Sequence, residues 1–450
     1  MSNGCRPHIS FVLATHNRRA VAIETLARVA RCGLDRRDYE IIAVDNASDD
    51  GTPEAIAAQT DILIRLRHNA GSCAKSYGVK RAGGRYIVFL DDDSFPHPGS
   101  VARMVERFEE DPDLGAAGFV VHLPDGRKEG SALPGVFVGC GVGLRAEAFR
   151  MVGGLDRSFF MQAEEYDLAF RLVGAGWRVR TFDDLHVDHL KTACARKTER
   201  TTYYDIRNNL RVLARYLPSP SYEIYRADAL QRYAWLAQRD QHIPSFVRGV
   251  LAGQWHGLRE RWIYRARRLS ADALEHFFRW KFVQDRMADL ARRGVRRIVL
   301  ADLGKNVFAF HRAARETGIT VMAVGDNNFY APGRWYRGVP VLPLDEALEP
   351  VSVGCHGQLA CPCTGGQAAS GTQNQTCRDR LLGREPDAVV VGNSSAVHGT
   401  DTYNRLTTRL SLPVYHWFGP GDQPVSDEIH SPAQVESADS PFVGVTVAAT

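Results

Sequence analysis

Short apolar runs alternate with helix-forming segments along the first part of the chain. The runs at 8–14, 40–44 and 86–90 are nearly continuous in apolar and β-branched residues, which is typical of strands buried on both faces of a parallel sheet. Apolar residues recur at helical spacing over 20–32, and Pro53 predicts the start of another helix. This alternation predicts a parallel, doubly wound α/β sheet whose strand ends converge on one crevice.

Three consecutive aspartates, Asp91, Asp92 and Asp93, come directly after the third apolar run. They stand where open α/β sheets bind ligands, and like charges so close together repel one another. A hard divalent cation shared with substrate phosphates would compensate them, because Mg²⁺ and Mn²⁺ prefer carboxylate oxygen. A solvated acidic turn is the alternative for an isolated triplet, so the rest of the chain has to decide.

Four blocks, in this order, resemble the family 2 glycosyltransferases, which have the nucleotide-sugar-binding GT-A fold. The blocks are FVLATHNR (11–18), IIAVDNASDDGT (41–52), HNAGSCAKSYGVKRAGGRYIVFLDDDS (68–94) and AEEYDLAFRLVGAGWRV (163–179). The resemblance extends over about half of the chain, and it implies a GT-A domain that transfers a sugar from a nucleotide-sugar donor.

The resemblance also implies roles for individual residues on the donor side. Asp45 would hydrogen-bond the base, and Asp93 would be the direct metal ligand while Asp91 faces the ribose or the metal. The implied donor-binding residues are Thr15, Asn17, Asp45, Lys75, Asp91 and Asp92. The implied ligands of Mn²⁺ or Mg²⁺ are Asp91, Asp93 and His189. Ser76 departs from the asparagine common in the family, which leaves the local donor contacts open.

Glu164 and Glu165 precede a helical pattern in the fourth block. Acids at a helix start also favour the macrodipole, which is the structural alternative. In the family such a pair provides the catalytic base, and Glu165 holds the second position, with Glu164 as a competitor. A base here would contribute roughly 10² to 10⁴ in rate, and direct attack opposite the leaving diphosphate would invert the anomeric centre.

Further passages between residues 135 and 209 resemble the family or contain candidate residues. The glycine-dense segments 135–143 and 153–156 resemble its acceptor side, although turn chemistry is the simpler explanation of the glycines. A strand is predicted over 177–182, with His189 after it; a lone histidine is more often structural than a ligand. The stretch 203–209 resembles that of rhamnosyltransferase-like members and points to bacterial surface polysaccharide.

Composition limits the location and the partners. No apolar run approaches the roughly 18 residues of a membrane span, and no signal-peptide pattern is evident. The chain has nine cysteines, an odd number, and those of the first half have no disulfide-like spacing, which favours a reducing compartment. We therefore expect a cytoplasmic enzyme, peripheral at most to the inner face of the membrane.

The stretch 200–297 is strongly basic, with 20 Arg and Lys against 9 Asp and Glu. It is helical in pattern and rich in aromatic residues, namely Trp255, Trp262, Phe277, Phe278, Trp280 and Phe282. Such a composition suits contact with anionic lipid, near a lipid-linked acceptor. Packing between domains with a solvated basic face is slightly favoured, because aromatics at helical spacing usually form core. No nucleic-acid motif accompanies the charge, so nucleic-acid binding is not expected.

A second α/β unit is predicted from residue 295, with strands over 297–300 and 319–324 and a helix over 307–317. It resembles the small Rossmann-like modules of bacterial sugar-modifying enzymes. Asp326 lies about 20 residues beyond Gly304, as for a ribose contact, but the glycine fingerprint is incomplete, so nucleotide binding is open.

At about 150 residues per domain, a chain of 450 residues suggests roughly three units. They are a GT-A domain over 1–216, a basic helical segment over 217–294, a Rossmann-like domain over 295–418 with a flexible insertion at about 350–385, and a disordered tail over 419–450. The insertion contains a group of candidate zinc ligands whose spacing matches no standard site, so a mobile loop is favoured. They are Cys355, His356, Cys361, Cys363 and Cys377.

The leading functional hypothesis is a metal-dependent, inverting glycosyltransferase acting on a UDP-, GDP- or dTDP-sugar and on a glycan or lipid-linked acceptor. One alternative is a sugar-nucleotide nucleotidyltransferase, which would need a glycine- and arginine-rich phosphate loop that THNR does not supply. The other is a non-catalytic nucleotide-sugar-binding or scaffold protein. The sugar, the linkage and the acceptor depend on pocket shape and are not predicted.

Overall fold

A computed structural model of the chain describes residues 8–191, 198–348 and 385–418. A nine-stranded sheet, a group of long helices and a six-stranded sheet succeed one another along the chain. The strands of the first sheet are β1 Ile9–Thr15, β2 Tyr39–Asp45, β3 Ile62–Arg65, β4 Tyr86–Asp91, β5 Ser94–Pro96, β6 Leu114–His122, β7 Lys128–Glu129, β8 Gly141–Arg145 and β9 Arg178–His189. Those of the second are β10 Arg297–Ala301, β11 Thr320–Gly325, β12 Trp335–Tyr336, β13 Val339–Leu342, β14 Ala388–Val391 and β15 Val414–Tyr415.

The helices surround the first sheet, continue between the two sheets and flank the second. Those of the first part are α1 Arg19–Val29, α2 Thr52–Ile56, α3 Lys75–Val79, α4 Ser100–Glu110, α5 Ala146–Met151 and α6 Glu164–Gly174. The middle helices are α7 Glu199–Tyr216, α8 Ser221–Arg239, α9 Ile243–Ile263, α10 Ala271–Phe278 and α11 Trp280–Arg292. The last are α12 Val307–Glu316, α13 Leu344–Leu348 and α14 Ala396–Thr407.

The first sheet has the strand order β3-β2-β1-β4-β8-β6-β9-β5, with β7 beside β6. Strands β3, β2, β1 and β4 are parallel, as the sequence predicts. Strand β8 is antiparallel to both β4 and β6, so the sheet as a whole is mixed rather than parallel. The reason is that no helix lies between β6 and β8, and parallel pairing needs such a crossover.

The register of the parallel strands decides where the site lies. Thr15 at the end of β1 pairs with Asp45 at the end of β2, and Ala14 pairs with Asp91 at the end of β4. Side chains of β1 alternate between two cores, with Val12 in one and Phe11 in the other. Burial on both faces therefore explains the continuous apolar run, and it fixes the polar strand ends at one edge of the sheet.

Helix α9 packs against α7 through a row of three glycines. A methyl group at Gly253 would lie 2.9 Å from a carbonyl oxygen of α7, one at Gly249 would lie 2.7 Å from another, and one at Gly257 would lie 3.2 Å from the Ala214 side chain. Because the glycine face is the packed face, the large residues of α9 point to solvent. Trp255 is 75% exposed and Trp262 is 70% exposed, so the prediction that these aromatics fill a core is wrong.

The other aromatics of the basic stretch behave as predicted. Phe277 and Phe278 are buried in the main core of the molecule. Trp280 is partly buried, and its indole N–H donates to the Tyr225 hydroxyl at 2.7 Å. The helical stretch therefore combines an inward aromatic cluster with an outward one.

The second sheet has the order β12-β13-β11-β10-β14-β15 and is parallel except for β12. The predicted strands and helix at its start are observed as β10, β11 and α12. Asp326 is buried, and its carboxylate accepts backbone N–H groups of Leu303, Asn328 and Phe329. These hydrogen bonds hold the loops on either side of Asp326, and nucleotide binding by the second sheet stays an open question.

Several expectations concern residues outside the described ranges. The candidate zinc ligands, nearly all of the predicted insertion and the predicted tail belong to this group. The domain boundaries remain a prediction. None of the helices within the described ranges has the length and apolar character needed to cross a bilayer.

Candidate active site

The strand ends of β1 and β2 form the first wall of the site. Thr15 and Asp45 are buried there, and one oxygen of Asp45, Oδ2, accepts the backbone N–H of Ser48 at 3.2 Å. Its other oxygen, Oδ1, is buried with no hydrogen-bond partner among the described residues. Asn17 adopts a left-handed backbone conformation with φ 53°, and its side-chain oxygen accepts the backbone N–H of Asp49 at 2.9 Å. This wall therefore offers a buried carboxylate oxygen of Asp45 that can accept a hydrogen bond, beside a loop that the Asn17 side chain holds in place.

The aspartate triplet separates into one accessible and two buried carboxylates. The Asp91 side chain is 40% exposed, whereas those of Asp92 and Asp93 are 8% and 4% exposed. Arg18 Nη1 lies 2.6 Å from Asp92 Oδ1 and 3.1 Å from Asp93 Oδ2. Lys75 Nζ lies 2.7 Å from Asp91 Oδ1. Burial raises the pKa of Asp92, and the charge of Arg18 opposes that rise.

His189 ends β9 and faces the triplet. The structure corrects the predicted position, because the strand predicted to end at residue 182 continues to His189 itself. The imidazole lies 3.2 Å from Asp93 Oδ1, 2.9 Å from Glu129 Oε2 and 3.3 Å from Cys140 Sγ. Burial works against its charge, but hydrogen bonds to these three groups raise the pKa of His189 to about 12.

The donor atoms at this edge fit a divalent cation. Asp91, Cys140 and His189 each offer a ligand atom, and these atoms lie within 4.8 Å of one another. Carboxylate oxygen suits Mn²⁺ or Mg²⁺, whereas imidazole nitrogen and a thiol are softer ligands. His189 would have to give up its proton to bind an ion, since a ligating imidazole is neutral. Two of the three predicted ligands are in this group, and Asp93, the third, contacts the same imidazole. The assignment of ligands remains a prediction.

The acid pair begins helix α6. Glu164 is buried and accepts a hydrogen bond from the Ser72 hydroxyl, 92 residues away in the sequence. Burial, and then the charge of Glu165, raise the pKa of Glu164 to about 8. Burial also raises the pKa of Glu165, and the positive charge of Lys75 opposes this rise. The two neighbouring acids thus differ in surroundings, and a pKa of about 8 keeps Glu164 mostly protonated near neutral pH.

Gly139 joins the acid pair to the triplet. Lys75 Nζ donates to the Gly139 carbonyl at 2.9 Å while pairing with Asp91. A methyl group added at Gly139 would lie 3.0 Å from Glu165 Oε1. The backbone of Gly139 and the side chain of Lys75 therefore lie between Asp91 and Glu165. The predicted donor side and the predicted base share one location.

Sequence reasoning misses four contributors to this arrangement. Arg18 lies within the first block, and its position next to strand β1 is the signal that could have identified it as the counter-ion of the triplet. Gly139 and Cys140 lie in the glycine-dense segment whose pattern indicates only an acceptor side. Glu129, on the short strand β7, has no signal in the sequence, because its contact with His189 depends on the pairing of β7 with β6.

A cavity of about 60 Å³ adjoins helix α6, which contributes Tyr166 and Phe170 to its wall. Most of the remaining wall is formed by residues of α7 and α8 and of the loop after β10. Lys305, from that loop, lies 3.3 Å from Asn209 Oδ1 and 3.5 Å from the hydroxyl of Tyr166. Since Tyr166 is the residue directly after Glu165, the second sheet reaches the neighbourhood of the acid pair.

Comparison with known proteins adds a family and several relatives. Residues 10–139 match the family described as glycosyl transferase family 2. The succinoglycan biosynthesis protein ExoO of Rhizobium meliloti is 33% identical over 107 residues, covering 22% of this chain and 30% of that protein. The poly-β-1,6-N-acetyl-D-glucosamine synthase of Staphylococcus aureus is 32% identical over 113 residues, covering 24% and 27%. The chain thus spans about a third of the length of these curated relatives.

Solved structures give more distant similarities. A mannosyltransferase of Pyrobaculum calidifontis in complex with GDP-Man and Mn²⁺ is 20% identical, covers 56% of this chain and 88% of that one, and has a TM-score of 0.41. TarS of S. aureus is 13% identical, covers 73% and 56%, and has a TM-score of 0.40. The predicted fold class, an α/β sheet of GT-A type with helices after it, is confirmed by the family match together with the sheet topology.

Proposed function

Because the chain carries a glycosyltransferase family 2 domain over residues 10–139, we propose that it is an inverting, metal-dependent glycosyltransferase. It moves a sugar from a nucleotide-sugar donor to a glycan or lipid-linked acceptor in the synthesis of bacterial surface polysaccharide. The observation that carries the proposal is the single location shared by Asp91 and Glu165, with Lys75 and Gly139 between them.

The donor lies along the ends of β1, β2 and β4 in this proposal. The unpartnered oxygen of Asp45 accepts an N–H of the nucleobase, and Thr15 and Asn17 border the nucleoside. Asp91, Asp93 and His189 would hold Mn²⁺ or Mg²⁺, which would supply positive charge to stabilise the negative charge developing on the leaving diphosphate. Lys75 adds a fixed positive charge beside Asp91, and this charge also stabilises the negative charge on the diphosphate oxygens.

Glu165 is the general base. Its carboxylate takes the proton of the acceptor hydroxyl as the oxygen attacks the anomeric carbon, on the face opposite the diphosphate. Burial makes this carboxylate more basic than an exposed glutamate, and Lys75 favours its ionised form. Glu164, protonated, presents no competing negative charge at its side. Arg18 fixes the positions of Asp92 and Asp93 through its two ion pairs.

The test is turnover of nucleotide sugars. The protein is incubated with Mn²⁺ and separate UDP-, GDP- and dTDP-sugars, and release of the nucleoside diphosphate is measured with and without candidate acceptors. We expect one nucleotide class to be turned over, and we expect Asp93→Ala and Glu165→Gln to abolish turnover while keeping the fold by circular dichroism. Asp113→Asn is the matched control, since the Asp113 side chain is 76% exposed.

Two outcomes would overturn the proposal. Thermal stabilisation by a nucleotide sugar without turnover, unchanged in Glu165→Gln, would identify a binding protein. Formation of a nucleotide sugar from a nucleoside triphosphate and a sugar phosphate would identify a nucleotidyltransferase.

A further inference from the structure

Helix α9 carries a row of large apolar residues on its solvent side. They recur at intervals of three or four positions, as expected for one face of a helix. This outward stripe consists of Ile243, Val247, Leu251, Trp255, Leu258 and Trp262. Its members are between 41% and 75% exposed. Contiguous apolar surface of this kind marks a site of interaction rather than an ordinary exposed residue.

The charge around the outward stripe has one sign. Residues 241–270 contain a single acid, Glu260, and it is buried in ion pairs with Arg211 and Arg215 at 2.6 and 2.8 Å. Five arginines on α9 and directly after it are exposed: Arg248, Arg259, Arg265, Arg267 and Arg268. The surface is thus apolar along its centre and positively charged beside it.

The stripe is held outward by the way α9 is attached. Its opposite face is the glycine row, in contact with α7, and α7 also supplies the two arginines that bind Glu260. Turning α9 over would bury a set of large side chains against a surface shaped for glycine and would expose the ion-pair network. The outward stripe is therefore a fixed surface of the folded molecule.

We propose that the outward stripe docks this protein on an anionic lipid surface, with α9 lying in the plane of the interface. Tryptophan is enriched at the level of the lipid headgroups, and arginine beside an apolar face adds attraction to anionic lipids. Charge complementarity argues against a second copy as the occupant, because two copies paired through this face would bring their arginines together. The apolar residues enter the headgroup boundary while the arginines contact lipid phosphates.

Vesicle flotation of the full chain tests the docking without reference to enzyme activity. We expect binding to vesicles of phosphatidylcholine with phosphatidylglycerol, weaker binding to phosphatidylcholine alone, and loss of binding as salt is raised. The variant Trp255→Gln/Trp262→Gln should bind roughly tenfold more weakly or worse, because it removes the largest apolar groups from the interface. Met151→Gln is the matched control, since Met151 is also exposed, at 61%, but lies on α5.

A second variant distinguishes the contribution of the arginines to lipid binding from that of the apolar residues. Arg265→Gln/Arg267→Gln should reduce the preference for phosphatidylglycerol and flatten the salt dependence, while binding to neutral vesicles changes little. Both variants are first checked for wild-type melting temperature. The proposal is overturned if the wild-type protein does not float with anionic vesicles at low salt, or if the tryptophan variant floats as well as wild type. It is also overturned if the wild type forms a dimer that the tryptophan substitutions dissociate and shows no vesicle binding.

Discussion

The two adjacent acids of helix α6 should respond to the same substitution with losses of activity of very different size. Glu165→Gln removes the carboxylate that we propose takes the acceptor proton, whereas Glu164→Gln replaces a group that is already protonated near neutral pH. A pKa of about 8 leaves Glu164 mostly uncharged at pH 7. Its side-chain oxygen accepts a hydrogen bond from Ser72, and the amide oxygen of glutamine can accept the same bond.

The expected magnitudes derive from these roles. Loss of a general base typically costs about 10² to 10⁴ in kcat, which is roughly 3–5 kcal/mol of transition-state stabilisation. We expect a loss in this range for Glu165→Gln and a change of less than about tenfold for Glu164→Gln at pH 7. Above pH 8 the wild-type enzyme should lose activity as Glu164 ionises beside Glu165, and Glu164→Gln should lack that loss.

The assay is kcat/KM for release of the nucleoside diphosphate, measured from pH 5.5 to 9.5 at saturating Mn²⁺, for the wild type and both variants. Melting temperatures and circular dichroism confirm that each variant is folded. An equal loss in the two variants at pH 7 would refute the assignment, because it would mean that Glu164 acts as a carboxylate. Activity retained in Glu165→Gln would refute the role of the base outright.

Three further predictions concern stability and the metal. The folded protein keeps the Glu164 proton to about pH 8, whereas an unfolded chain releases it near pH 4.5. The free energy of unfolding should therefore fall as the pH rises from about 4.5 to about 8. In thermal melts, Glu164→Gln should show a smaller fall over the same range. Chelation of the metal should lower the melting temperature and abolish turnover, and added Mn²⁺ should restore both. His189→Ala should prevent that restoration. A melting temperature that neither chelation nor Mn²⁺ changes would contradict the prediction. Gly253→Ala should cost about 1–3 kcal/mol in urea unfolding, because its methyl group would lie 2.9 Å from a carbonyl oxygen of α7, whereas Gly174→Ala, with its nearest neighbour at 3.9 Å, should cost less.

The edge of the first sheet is predictable from the sequence because it depends on local patterns. A buried parallel strand needs a continuous apolar run, and the register of such strands places their carboxyl-terminal residues at a common edge, so Asp45 and Asp91 can be located together. The positively charged side chains that neutralise the aspartate triplet are harder to predict. Arg18, directly before α1, and Lys75, at the start of α3, reach it from two separate segments, and only the folded chain gives their distances.

The outward stripe of α9 contradicts the sequence prediction for a physical reason. Periodic large apolar residues ordinarily mark the buried face of a helix, and that rule assumes that the packed face is the one with the larger side chains. In α9 the row Gly249, Gly253 and Gly257 lets two backbones approach closely, and it occupies the packed face. The glycine spacing of four is visible in the sequence and is the signal that would have reversed the interpretation.

The position of Lys305 argues that the catalytic unit extends beyond the family 2 match. This lysine lies just after β10 of the second sheet, yet its ammonium group is 4.5 Å from the centre of the Tyr166 ring, next to Glu165. Its charge is among those that oppose the rise in the pKa of Glu165, and charges interact strongly in buried surroundings of low dielectric constant. Removing it in Lys305→Met should shift the acidic limb of the kcat/KM profile to higher pH, because the ionised base loses a favourable neighbour. The same change at the exposed Lys281 should leave the profile in place. An unshifted acidic limb in a folded Lys305→Met protein would show that the second sheet acts on the base through packing alone or not at all.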